Sequence, residues 1–331
     1  MTHKFLACIL CLMLVFIHGT YHIYQHYLRK FDEDDQQCIQ STWKKSSEIE
    51  PILDFDSFGF RISFADKQHL YQWIHLPKLQ YPDSQVVIII SSKPESFSRR
   101  NLLRKTLETT RTPQIRFLFF IGLGGEIDEK IKKMILIEAD LYGDVVVTDM
   151  EDRYENLTIK TLSLLLFSVS KFNSTTKLIG KMDEDVMLFP ERLSVSIEKR
   201  NINTEGDNLY GQIIEAGTSA KSEKIVLQAS LSSYRCQKYP EFLSGPFYLM
   251  TRSAAKKILE GSKHRNFLIS EDVLITGILA SDVGAKRHPL MGMNLYAKFP
   301  RFQENELLAW HAVNLSDKQY LEENARFQML R

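Results

Sequence analysis

From residue 85 onward, short apolar runs alternate with stretches of helical periodicity. Val86–Ile90 (VVIII) is an uninterrupted apolar run of strand length, followed by a basic helix over about 98–110 and a second run, Arg116–Ile121 (RFLFFI). Such runs have no polar face, which predicts strands covered on both sides. Gly122–Gly125 then breaks the pattern, and a helix over about 128–141, a strand at 144–148 (DVVVT) and an apolar helix over 157–169 follow. Three strand-then-helix units in succession predict an α/β sheet. The next strand, Lys177–Lys181 (KLIGK), runs directly into Met182-Asp183-Glu184-Asp185. Farther on the periodicity is less regular, with strands predicted at 210–214 and 247–250 and helices at 252–260 and 272–280.

The N-terminal pattern is different. Phe5–Ile17 (FLACILCLMLVFI) is thirteen consecutive apolar residues, and extending it to Tyr24 gives a segment long enough to cross a bilayer. A cleaved signal peptide would have a similar apolar core, but residues 17–20 (IHGT) make a poor small-x-small cleavage site, which favours an uncleaved signal anchor. The chain then divides into an anchor over 1–24, a polar stem and pre-domain segment over 25–84, and a catalytic-sized domain over 85–331. Sequons at Asn156, Asn173 and Asn314 are N-glycosylation candidates, and a glycan on any of them requires that domain to be lumenal. Asn156 falls at a predicted helix start, where it can instead cap the backbone.

Charge and cysteine content narrow the partners. Forty-two Lys and Arg stand against forty-one Asp and Glu, so there is no bulk polycation for a nucleic-acid backbone. Cys8 and Cys11 fall in the apolar segment, which leaves Cys38 and Cys236 for the lumen. A bridge between those two, a Cys38 link between the chains of a homodimer, and two free thiols all remain open.

The acidic triplet carries the first chemical signal. Asp183 and Asp185 are spaced to converge on a hard divalent cation at a strand end, where open α/β sheets bind their ligands. Asp-x-Asp is common on solvated loops, but this one lies between the apolar strand 177–181 and Val186-Met187-Leu188-Phe189.

Other blocks surround it in order. They are Arg99-Arg100-Asn101-Leu102-Leu103-Arg104-Lys105-Thr106-Leu107; Glu138, then Tyr142-Gly143-Asp144-Val145-Val146; Asp149-Met150-Glu151-Asp152-Arg153-Tyr154-Glu155-Asn156-Leu157-Thr158-Ile159-Lys160-Thr161; and Lys181-Met182-Asp183-Glu184-Asp185-Val186. Tyr239-Pro240-Glu241-Phe242-Leu243-Ser244-Gly245-Pro246-Phe247-Tyr248, Glu271-Asp272-Val273 and Trp310-His311-Ala312-Val313 complete the set. Together these resemble the β-1,3-galactosyltransferase and β-1,3-N-acetylglucosaminyltransferase family, over about residues 99–317. The sequence departs from the family pattern at Leu107 (usually Trp), Glu184 (usually Asp) and Leu243 (often Cys).

The resemblance implies a GT-A type fold, a Rossmann-like mixed sheet flanked by helices behind one N-terminal transmembrane helix. It also implies a single-pass type II protein of the Golgi membrane with its catalytic domain in the lumen. The expected reaction is inverting transfer of a hexose, most readily galactose, from a UDP-sugar to the 3-hydroxyl of a glycan on glycoprotein or glycolipid. In that reading Asp272 is the general base. Asp183, Asp185 and His311 hold Mn²⁺, which stabilises the departing UDP. Arg100, Arg104, Asp152, Lys160 and Glu184 surround the donor, and Tyr239, Gly245 and Glu271 the acceptor. Asp272 also suits a helix N-cap, and His311 a half-buried structural histidine. N-acetylglucosamine as donor sugar, a metal-dependent phosphohydrolase, and a non-catalytic lumenal glycan-binding relative are the competing functions.

Overall fold

A computed structural model describes residues 18–21, 58–79, 84–108, 115–217, 236, 238–295, 306–313 and 315–329. Most of the anchor and stem, and Asn314, lie outside the described residues, and no helix among the described residues is long and apolar enough to cross a membrane.

The predicted strands form as expected. β3 (Val86–Ser91), β4 (Ile115–Gly124), β5 (Val145–Glu151) and β6 (Leu178–Asp183) are joined by α1 (Phe97–Glu108), α2 (Glu129–Tyr142) and α3 (Leu157–Lys171). They pair in parallel in the order β5-β4-β3-β6. Alternate β3 side chains enter two different cores. Val87 and Ile89 pack with α3, whereas Val86, Ile88 and Ile90 pack with α1 and α2. That double burial is why the strand has no polar residue before Ser91.

Further strands, antiparallel except for one parallel pair, extend the centre on both sides. β9 (Phe242–Thr251) pairs with β6, and β8 (Asn208–Ile214) and β10 (Lys286–Pro289), the parallel pair, continue that edge. On the other edge β1 (Gly59–Ser63) and β2 (Gln68–His75) complete a nine-stranded sheet. The sheet therefore takes in residues 59–75, ahead of the residue 85 at which the domain is expected to start. β2 alternates in exposure, but apolar Leu70 and Ile74 stand on its exposed face, so residue type does not follow that alternation.

The glycine-rich segment 122–125 also differs from expectation, because β4 runs through it to Gly124. A Cβ at Gly122 would lie 2.4 Å from the Met150 carbonyl oxygen, and one at Gly124 2.0 Å from that of Asp149. These glycines permit close approach of β5. The predicted 272–280 helix is π-helical over Val273–Leu279. α4 (Pro190–Glu198) and α5 (Arg252–Gly261) flank the sheet. A three-stranded sheet, β11 (Met293–Asn294), β12 (Ala309–His311) and β7 (Val186–Leu188), precedes the C-terminal α6 (Asp317–Gln328).

Candidate active site

β4 and β5 lie on one side of β3 and β6 on the other, so the chain reverses its direction of growth between β3 and β6. Ligands of open α/β sheets bind beyond the strand C-termini at such a switch point. The last paired residues are Ser91 and Asp183. Beyond them opens a cavity of ≈ 710 Å³ lined by Ser91–Lys93, Asp152–Tyr154, Lys160 and Asp183–Asp185.

The acid triplet has three different environments. Asp183 Oδ1 lies 2.7 Å from the ammonium of Lys181, and burial outweighs that partner and raises its pKa. Glu184 turns away from both aspartates, accepting from Ser92 Oγ at 2.6 Å, Ser96 Oγ at 2.7 Å and the Lys93 amide at 3.2 Å. Asp185 faces His311, whose Nε2 lies 3.2 Å from Oδ2. Burial raises the Asp185 pKa, but the hydrogen bond and charge of His311 outweigh it and hold the carboxyl below its ordinary value.

β12 pairs with β7 so that His311 stands opposite Val186, and the Ala312 amide donates to the Asp185 carbonyl. Two sequence segments more than a hundred residues apart thus deliver one carboxylate and one imidazole side by side. His311 Nδ1 lies 3.1 Å from the Leu295 carbonyl oxygen, an acceptor only, which assigns the proton to Nδ1 and leaves Nε2 for Asp185 or a cation. Asp185 Oδ1 is buried without a hydrogen-bond partner. A buried carboxylate oxygen lacking a donor, beside an imidazole nitrogen, fits a divalent cation whose other ligands come from substrate phosphates. Among the described residues no three His, Cys, Asp or Glu side chains form a metal cluster.

The second acidic centre lies across Lys181. Lys181 is 1% exposed, donates to the Gly245 carbonyl at 2.8 Å and stands 3.8 Å from Glu271 Oε2. Glu271 Oε1 accepts from Tyr248 OH at 2.5 Å. Burial, against the pull of Lys181, pushes the Glu271 carboxyl up to about 7. Asp272 Oδ1 caps the π-helical turn through the Val273 amide at 2.9 Å, and burial raises its pKa too. A Cβ on Gly245 would lie 3.3 Å from Asp272 Oδ2, so only a glycine leaves that oxygen uncrowded.

Other predicted site residues lie elsewhere. Arg100 and Arg104 do not line the cavity. Arg100 is fully buried at 2.7 Å from Glu138, and Arg104 pairs with Glu138 and Asp144 at 2.7 Å each. Their charge is already balanced, so they are structural. The α1 arginine on the cavity wall is Arg99, whose Nη1 is buried without a hydrogen-bond partner. Tyr239 packs edge-on against Phe242 at 2% exposure, and Glu271 is 4% exposed, so neither presents a surface an acceptor could reach.

Lys160 and Asp152 do line the cavity, paired at 2.7 Å. Asn156 makes no side-chain cap; its Nδ2 donates to the Glu151 carbonyl, and Thr158 of its sequon is buried. Asn173 is exposed, with Oδ1 accepting from the Thr175 amide. Cys236 is buried and disulfide-bonded, which removes the free-thiol alternative for it.

A switch-point cavity bearing strand-end carboxylates, with a second acid pair beside it, is the candidate active site. A family model described as Galactosyltransferase matches residues 98–291, and the chain belongs to that family. It is 42% identical to the β-1,3-galactosyltransferase bre-2 of Caenorhabditis elegans over 89% of this chain and 84% of that protein. It is 25% identical to mouse lactosylceramide 1,3-N-acetyl-β-D-glucosaminyltransferase, covering 69% of this chain and 62% of that protein. Mouse β-1,3-galactosyltransferase 1 is 27% identical over 63% of this chain and 64% of its own length. The protein is a hexosyltransferase.

Proposed function

We propose that the protein transfers galactose from UDP-galactose to the 3-hydroxyl of a glycan, with inversion at the anomeric carbon. The observation that carries this reading is Lys181. Its ammonium stands 2.7 Å from Asp183 and 3.8 Å from Glu271, so the strand-end acid and the 271–272 acids are joined through one buried lysine.

Asp272 is the general base in this reading. It takes the acceptor hydroxyl proton as the oxygen forms its bond to the anomeric carbon, while the bond from that carbon to the diphosphate breaks and UDP leaves with the electron pair. Its raised pKa increases its basicity. Asp185 and His311, with Asp183 nearby, would hold Mn²⁺, which supplies Lewis-acid stabilisation of the leaving diphosphate. Lys93 adds positive charge on the same wall, where Arg99 is paired with Asp317. The domain works in the Golgi lumen behind an N-terminal anchor, with glycans at Asn173 and Asn314.

The 42% identity to a β-1,3-galactosyltransferase favours galactose as the donor sugar. The test is UDP release from a panel of UDP-sugars with Mn²⁺, with and without glycan acceptors. Acceptor-dependent release from UDP-galactose is expected. Release only from UDP-N-acetylglucosamine would replace the donor, and UDP binding without release from any donor would indicate a glycan-binding relative.

A further inference from the structure

We propose that Glu184 is a positioning residue, which clamps the β3–α1 connection to the metal-side strand end and so sets the width of the donor site without touching the donor. This rests on the function proposed above. Backbone pairing between β3 and β6 ends at Ser91 and Asp183. One residue farther on, nothing in the sheet ladder holds the two strand ends together, and both are walls of the cavity. The Glu184 side chain spans that gap.

Its carboxylate is nearly filled from the opposite wall. Oε2 accepts from Ser92 Oγ and the Lys93 amide, and Oε1 accepts from Ser96 Oγ. An ionised carboxylate has about four acceptor sites, so three bonds to one connection leave little for a ligand. That connection is also held from behind. Arg100 donates to Ser92 Oγ at 3.0 Å, to the Lys93 carbonyl at 2.6 Å and to the Pro94 carbonyl at 3.2 Å, and Lys160 donates to the Ser92 carbonyl at 2.9 Å. Ser92 is where the clamp, the buried Arg100 and the cavity-lining Lys160 meet.

Chain length makes the clamp specific to glutamate. Aspartate is shorter by one carbon–carbon bond, about 1.5 Å, and bonds of 2.6 and 2.7 Å to two serines cannot survive that retreat unless a wall moves. Aspartate is the residue that the resembled family pattern carries here. Glu184→Asp therefore restores the pattern and weakens this enzyme.

The experiment compares full-length wild type, Glu184→Asp, Ser96→Ala and the double variant. Ser96 is only half-buried, so its alanine variant preserves the fold if Glu184→Asp does not. Amide hydrogen exchange over residues 92–97 is measured without ligand, and Mn²⁺-dependent UDP affinity, donor KM and kcat are measured alongside. Exchange at Lys93 is expected to accelerate about tenfold in Glu184→Asp. Donor KM and the UDP dissociation constant are expected to rise by a similar factor with little change in kcat. The double variant should be no worse than Glu184→Asp, because the Ser96 bond is already among those that Glu184→Asp loses.

Unchanged exchange in both single variants overturns the clamp. Accelerated exchange with unchanged UDP affinity overturns its role in the donor site, as do effects that multiply in the double variant. Wild type that fails to bind UDP, with exchange still accelerated by Glu184→Asp, overturns the proposed function and leaves the clamp standing.

Discussion

Two buried charge clusters sit on opposite sides of the β3 end, and they are built on opposite principles. Arg100, Arg104, Glu138 and Asp144 form a balanced set of two cations and two anions with short, multiple hydrogen bonds. Lys181, Asp183, Glu271 and Asp272 place one cation among three anions. The titration behaviour follows the balance. At Glu138 burial raises the pKa, but the hydrogen bond and charge of Arg100 outweigh it and the net shift is down. At Glu271 the single shared lysine does not outweigh burial, and the carboxyl rises to about 7. A balanced cluster supports a fold; one with excess acid is a place where protons can be taken up.

Breaking the balanced cluster should give the largest stability effect. Arg100→Met leaves Glu138 short of its main partner, and removal of one member of a buried pair costs about 3–5 kcal/mol. Denaturant unfolding should show that loss in unfolding free energy.

The excess-acid cluster should reveal itself through pH. Glu271 is protonated in the folded protein at pH values where it ionises in the unfolded chain. Stability is therefore full below the ordinary glutamate pKa and is lost as pH rises through about 7, by a total on the order of 3 kcal/mol. Glu271→Gln should remove that slope. Glu138 has the opposite sign, since its contribution is present above the ordinary pKa and is lost as pH falls through its depressed folded value. Unfolding curves from pH 4 to 8 for wild type and Glu271→Gln distinguish the two.

The smallest effect sharpens the comparison. Tyr248→Phe removes the hydrogen bond to Glu271 Oε1, which should cost about 1 kcal/mol and move the pH-dependent loss to higher pH, because that bond favours the ionised form. A downward move would mean that Tyr248 stabilises the protonated acid.

Much of this comparison was invisible along the chain. Strands buried on both faces, such as Val86–Ser91, are legible as apolar runs, and the acid triplet is legible because such a strand leads into it. The resemblance sets Arg100 and Arg104 around the donor, and a basic helix shows its charge but not its phase. Only the packing of α1 on α2 reveals Glu138 between them. The edge strand β2 was hidden because apolar Leu70 and Ile74 stand on its exposed face. Lys181 was visible only as a motif letter, since its partners Gly245 and Glu271 lie 64 and 90 residues away. Tyr239 looked like part of a binding loop, and its burial, with Phe242 against its ring, places it in the core.

The division of labour between the metal-side and base-side acids can be tested by one paired measurement, transfer rate and Mn²⁺-dependent UDP affinity, on wild type, Asp272→Asn and Asp185→Ala. Asp272→Asn is expected to lose transfer by about 10²–10⁴-fold while binding UDP normally, and Asp185→Ala to lose the metal-dependent UDP affinity itself. Near-normal turnover by Asp272→Asn, or unchanged UDP affinity in Asp185→Ala, would contradict that division.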